Sequence, residues 1–125
     1  MDRLLWVCLG SALGGGARYL VGIAATALLG GGFPYGTLAV NVAGSFAIGL
    51  LMQTAAQSPA LTPELRLFWV TGVLGGFTTY SSFNHETLVL LRDGPPLLGG
   101  VYLAGTVLLC LGAGLLGLAA GRAWT

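Results

Sequence analysis

From Leu97 to Ala120 the chain runs for about 24 residues without a charged side chain, or about 36 Å of helix at about 1.5 Å per residue. About 20 such residues suffice to cross the hydrocarbon core of a bilayer. A segment of this kind has few structural options, because in lipid every backbone N–H and C=O must find a partner within the protein. It spans as a helix. The remainder of the 125 residues conforms: 55% are hydrophobic and 7% charged, against about 25% charged in a soluble domain, and mean hydropathy is +0.86. The chain reads as an integral membrane protein, long enough for four or five crossings. Asp2 and Arg3 lead directly into an apolar run with no small-residue cleavage pattern, which reads as a first span rather than a removable leader.

The expected architecture is all-α: a single transmembrane domain over 1–125, with four spans at about 4–29, 36–56, 64–91 and 97–120. The first ends in Gly30-Gly31-Gly32 and Pro34, and Gly10 and Gly14 make a face against which another helix can pack closely. Arg18 lies well inside it. A charge at that depth costs roughly 2.5–3.5 kcal/mol on insertion scales, so Arg18 either faces a bundle interior or wet cavity, or snorkels to an interface. The second span carries Thr37, Asn41 and Ser45 on one stripe; Asn41 is either interhelical glue or part of a polar pathway. Thr62 is placed to cap the third span, with Pro63 at its first position and Glu64 against its positive end. Along the fourth, Tyr102, Thr106 and Cys110 recur at a four-residue interval, and Gly117 and Gly121 form a second small-residue face.

The third span contradicts itself midway. Gly75-Gly76 disfavours helix by about 1 kcal/mol per residue, and Thr78, Thr79, Ser81 and Ser82 carry hydroxyls that compete for backbone groups. The helix is expected to open within this stretch, with its freed carbonyls and amides lining a buried or wet site. Tyr80 and Phe83, three residues apart, share a face of the helix that resumes, followed by Asn84, His85 and Glu86. Glu86 is the one acid placed to pair with Arg18, by charge sign alone.

Several function classes are excluded. A net charge of +1 leaves no polybasic surface for nucleic acid. Cys8 and Cys110 both sit in apolar runs and imply neither a disulfide framework nor a metal site. One histidine and no nucleophile beside a base leave no catalytic constellation, so the chain reads as no enzyme. What remains inside the membrane is a set of hydrogen-bond donors and aromatic edges: Thr37, Asn41, Ser45, Tyr80, Ser81, Ser82, Phe83, Tyr102 and Thr106. Donors without carboxylates suit an anion, as do the positive edges of aromatic rings. Carbonyls exposed by a broken helix suit a cation. Arg3, Arg66 and Arg122 fall on one side and Arg92 on the other, a weak bias that favours termini inside and lets such a chain insert both ways.

The stretch Gly75-Gly76-Phe77-Thr78-Thr79-Tyr80-Ser81-Ser82-Phe83-Asn84-His85-Glu86 resembles the G-x-x-T-T-F-S-T-F-x-x-E signature of the Fluc (CrcB) fluoride channels. Gly15-Gly16-Ala17-Arg18-Tyr19 is similar to that family's first-helix motif, and Gly36-Thr37 through Asn41 to Gly44-Ser45-Phe46 resembles its second-helix pattern. The resemblance covers nearly the whole chain. It implies an antiparallel, dual-topology homodimer with two fluoride pores, passively exporting cytoplasmic fluoride across the cell (inner) membrane. It also implies a structural sodium ion held by the backbone carbonyls of Gly75 and Thr78 from both subunits. Fluoride would meet Asn41, Tyr80 and Phe83, with Ser81 and Thr37 nearby, and follow Tyr102, Thr106 and Cys110. Arg18 and Glu86 would supply charge at the vestibule and interior. Two positions depart from the family pattern: Tyr80 stands where phenylalanine is usual, and Cys110 where a hydroxyl is usual. Two rival readings are a small dual-topology multidrug-type exporter, which would want an acid where the first span has Arg18, and a structural subunit of a heteromeric channel.

Overall fold

The computed structural model of the chain describes residues 2–124, and every element among them is helical. Helix α1 (Asp2–Leu29) and helix α2 (Tyr35–Gln57) are joined by the glycine cluster. Gly30 takes φ +80, the left-handed conformation that ends a helix and favours glycine, and its N–H closes back on the Thr26 carbonyl at 2.9 Å. Helix α3 is a composite: Pro63–Arg66 is α-helical, Leu67–Leu74 winds as a π-helix, and Gly75–Phe77 returns to α. Thr78 and Thr79 are extended, after which helix α4 (Tyr80–Asp93) begins. Helix α5 (Pro96–Trp124) closes the chain. The helices α1, α2 and α5 are each long and apolar enough to cross a membrane, which makes this a multi-pass membrane protein.

Local chemistry accounts for the ends. Thr62 accepts the Leu65 N–H on its hydroxyl at 3.3 Å, with Pro63 at the first helical position, as its sequence pattern predicts. At the other end of the broken segment Gly94 sends its N–H to the Val89 carbonyl, and Pro95-Pro96 then prevents the helix from continuing.

Packing is governed by missing side chains. The most extensive pairings are α2 with α5 and α1 with α3. On α1, a Cβ at Gly10 would lie 2.9 Å from the Gly72 Cα, and one at Gly14 would run into the Val73 carbonyl. On α5, a Cβ at Gly117 would strike the Phe46 carbonyl, and one at Gly121 would lie 2.7 Å from the Gln53 Cβ. Both small-residue faces expected from the sequence are therefore helix contacts, where van der Waals contact replaces the hydrophobic drive that lipid does not provide. The outer surface is apolar: Leu28, Leu97, Leu108 and Leu115 are all largely exposed.

Two features differ from the sequence-based expectation. The helix opens within the expected stretch, at Thr78 and Thr79, but not at Gly75-Gly76; a Cβ on Gly76 would sit 2.6 Å from the Ser11 carbonyl, so Gly76 serves approach to α1. The π-winding before it was not expected at all. In it the Gly75 N–H still reaches the Val70 carbonyl five residues back.

Candidate functional site

The interruption between α3 and α4 is held by one side chain. Asn41 donates from Nδ2 to the Thr79 carbonyl at 3.0 Å and accepts the Thr79 N–H on Oδ1 at 2.8 Å. In a continuous α-helix the Thr79 N–H would go to the Gly75 carbonyl, four residues back. Diverted to Asn41, it leaves that carbonyl without its helical donor. The Ser82 N–H, which would serve the Thr78 carbonyl in the same way, goes instead to Thr79 Oγ1 at 3.2 Å. Thr79 thus caps α4 with its hydroxyl and is itself clamped by Asn41. The two diversions free the carbonyls of Gly75 and Thr78, the pair that the family resemblance assigns to a cation.

Against this break lies a cavity of about 370 Å³. Its walls bring together Asn41 and Ser45 from α2, Gly75 and Thr78 from the break, Tyr80 and Phe83 from α4, and Thr106 and Cys110 from α5. The lining is mostly apolar, with few polar groups aimed inward. Ser45 spends its proton on the Asn41 carbonyl at 2.6 Å, and Thr78 Oγ1 donates to the Leu74 carbonyl at 2.9 Å. Thr106 differs. It is 4% exposed, and its Oγ1 is buried with no hydrogen-bond partner among the described residues. Thr87 on α4 bonds the carbonyl four residues back at 2.7 Å, and Thr106 does not. A buried hydroxyl left in this state costs about 1–3 kcal/mol unless something in the cavity takes it up.

The rings form a connected series. Tyr80 and Phe83 meet edge to face with centroids 5.7 Å apart, Phe83 meets Tyr102 at 5.3 Å, and Tyr102 meets Phe33 at 5.3 Å. Phe83 is 5% exposed but Tyr80 is 77% exposed, so the Tyr80 ring projects from the surface of the chain.

Beyond Phe83 a second cluster begins. Thr37 donates to Glu86 Oε1 and Tyr102 donates to Glu86 Oε2, both at 2.7 Å. Tyr102, 1% exposed, links this carboxylate to the ring series. A smaller cavity of about 180 Å³ reaches the same cluster from the other side, past Thr26, Tyr35 and Thr37. Glu86 therefore takes hydroxyl donors from α2 and α5 and not Arg18. The pairing suggested by charge sign does not form; Arg18 sits half-buried on α1 with no ion pair among the described residues. Ser81 is exposed, with its Oγ 3.3 Å from Thr79 Oγ1.

Sequence reasoning counted Thr79 among the hydroxyls that loosen the helix but did not see it as a cap, although a threonine just before a resuming helix is a cap signal. It also passed over Gly44, whose missing Cβ makes room for the Thr78 methyl, and Phe33, which covers Tyr102.

A sequence model of the family described as "CrcB-like protein, Camphor Resistance (CrcB)" matches residues 5–118. The chain belongs to the CrcB family. It is 56% identical over 113 residues to a protein of Anaeromyxobacter dehalogenans (strain 2CP-1 / ATCC BAA-258) named fluoride-specific ion channel FluC, with 90% of each chain covered. Proteins of the same name from Sorangium cellulosum (strain So ce56) and Agrobacterium fabrum (strain C58 / ATCC 33970) are 48% and 45% identical over 122 residues, 98% of this chain and 96% and 98% of theirs. With ion channels as its relatives, this member of the CrcB family has a non-enzymatic function.

Proposed function

We propose that this chain is a fluoride-selective channel through which cytoplasmic fluoride leaves passively across the cell (inner) membrane. The reading rests on the relatives' names and, within the molecule, on the Thr106 hydroxyl. An unpaired donor in a mostly apolar cavity suits a small anion that has shed its water. The second N–H of Asn41 Nδ2 has no protein acceptor among the described residues and supplies another donor to the same space. The buried edge of Phe83 adds the positive rim of its ring, and the Cys110 thiol a weaker donor than the usual hydroxyl. Tyr102 and Thr37 extend the series toward the smaller cavity, holding the Glu86 carboxylate aside between them. Arg18 adds positive potential toward the vestibule.

The working unit in this proposal is an antiparallel, dual-topology homodimer with two pores. The exposed Tyr80 ring and the open face at Gly75 support it, since a second copy placed there would bury both. The carbonyls of Gly75 and Thr78, stripped of their helical donors, fit a sodium ion, because hard cations take oxygen ligands; these two residues of each copy would hold it. Bound there, sodium supplies the positive charge that compensates those oxygens; the residues of this chain hold the break open and present them.

The decisive experiment is fluoride efflux from liposomes containing the purified protein, repeated with chloride. Fluoride release without chloride release, and without need of a proton gradient, is the expected result; equal release of both anions, or none, overturns the proposal. Thr106→Val keeps the shape and removes the donor, and is expected to slow fluoride efflux by about tenfold or more. The dimer has its own test in Gly75→Val. Within one subunit a Cβ at Gly75 meets nothing closer than the Val70 carbonyl at 3.8 Å. The subunit should therefore fold while light scattering reports a monomer, and a normal dimer would remove Gly75 from the shared site.

A further inference from the structure

At the end of the bundle where α1 and α3 begin and α2 ends, a groove of about 430 Å³ is lined by Arg3, Met52, Leu61, Arg66, Leu67 and Val70 among others. Its two cations are not equally engaged. Arg3 pairs with Glu64 at 3.5 Å. Arg66 has no carboxylate partner among the described residues; its Nη2 contacts only the Met52 sulfur at 3.4 Å, a weak acceptor for a group with five donors. Of the groove's lining residues two are guanidiniums and none is a carboxylate, and the Arg66 charge is not engaged by any acid among the described residues. Below the mouth the walls are Met52, Leu61, Leu67 and Val70, with no acid.

We propose that this groove binds an anionic phospholipid, with its phosphate at Arg66 and Arg3 and one acyl chain along Leu67 and Val70. Charge complementarity selects the headgroup: a guanidinium fork matches phosphate oxygens in pairs, and Arg66 has its fork free. The apolar wall selects a lipid over a soluble anion, since a free phosphate would gain nothing from Leu67 and Val70. All three contributing helix ends lie where a spanning bundle meets the headgroup layer. Val70 and Thr71 belong to the π-helical stretch, and Val70 also lines the cavity at the break. A lipid seated here braces the half-helix that carries Gly75 and Thr78.

The test is lipid retention and thermal unfolding of the full-length protein in detergent, titrated with phosphatidylglycerol and with phosphatidylcholine of the same acyl chains. Phosphatidylglycerol is expected to remain bound in native mass spectrometry and to raise the unfolding midpoint at lower concentration. Arg66→Gln and Arg3→Gln should each weaken its binding by about fivefold. Arg92→Gln, at the opposite end of the bundle, should leave it unchanged. Equal effects of the two lipids, or full retention in Arg66→Gln, overturn the proposal. So does competition by soluble glycerophosphate at the concentration of the intact lipid, which would make the groove an anion site. Because neither readout involves transport, failure here is separable from failure of the channel reading.

Discussion

The seam between α1 and α3 and the seam where α2 meets α4 and α5 solve the same problem by opposite means. Both must hold helices together in a solvent as apolar as their own side chains. The first does it along its length by removing side chains: Gly10, Gly14, Gly72 and Gly76 let backbone meet backbone, and only at its end do side chains cross it, in the Arg3–Glu64 ion pair and the Trp6–Phe68 ring contact. The second is stitched by Asn41 to Thr79, Thr37 to Glu86 and Tyr102 to Glu86. Where the glycines meet, from Gly10 to Gly76, the glycine seam is closed to a ligand; the groove at Arg3 and Arg66 lies beyond its end. The stitched seam has room for a ligand and groups to bind one, since every bond in it crosses next to a cavity. Scaffold and site are thus divided between two faces of one broken helix.

The strongest way to break the comparison is Gly14→Val. The added carbons would meet the Val73 carbonyl and the Phe77 N–H, which is backbone that no rotamer change can move. The penalty should exceed the 1–3 kcal/mol of ordinary overpacking, by roughly enough to abolish folding. Loss of the monodisperse species in size-exclusion chromatography checks it. Gly16→Ala, with nothing within 4 Å of the new Cβ, should purify normally. If both variants behave alike, the glycine seam is not what holds α1 and α3.

Next in size is Asn41→Ala, which acts on the stitched seam. It orphans the Thr79 N–H and carbonyl together, at about 1–3 kcal/mol for each group left unsatisfied. The protein should still fold, because the glycine seam is untouched, but with a lower unfolding midpoint and fluoride flux reduced by about tenfold or more. A variant with normal stability but no flux would separate Asn41's role at the ion from its role at the break.

The sequence was most informative where a residue's effect is local or periodic. Length and lack of charge mark the apolar helices, the spacing of Gly10 with Gly14 and of Gly117 with Gly121 marks both packing faces, and Thr62-Pro63-Glu64 marks a helix start. The cavity's lining was also legible in part, since Asn41, Phe83, Thr106 and Cys110 are polar or aromatic groups in apolar surroundings. What the sequence concealed was decided by tertiary contacts. Gly75-Gly76 reads as a helix breaker, yet Gly76 is held helical against Ser11 on α1, and the break falls where Asn41, 38 residues away, takes over the Thr79 amide. Glu86 reads as a mate for Arg18 by sign, but two hydroxyls from α2 and α5 reach it instead. No local pattern announces the π-winding of Leu67–Leu74.

The finest test concerns Tyr80, the one ring of the series that projects from the surface of the chain. Its hydroxyl makes no hydrogen bond among the described residues, and the residue is 77% exposed, so Tyr80→Phe should change the unfolding midpoint of the subunit negligibly, within about 0.5 kcal/mol. Its contact with Phe83, edge to face at 5.7 Å, depends on the ring and not on the hydroxyl. If the ring edge is what an anion meets, flux and selectivity should stay within about threefold of the parent, which is about 0.7 kcal/mol in barrier height. A larger fall in flux would mean that the phenol itself donates to the ion, and the stitched seam would then gain a donor contributed from outside its own subunit. A rise in flux would mean that the hydroxyl obstructs a path that a phenylalanine leaves open.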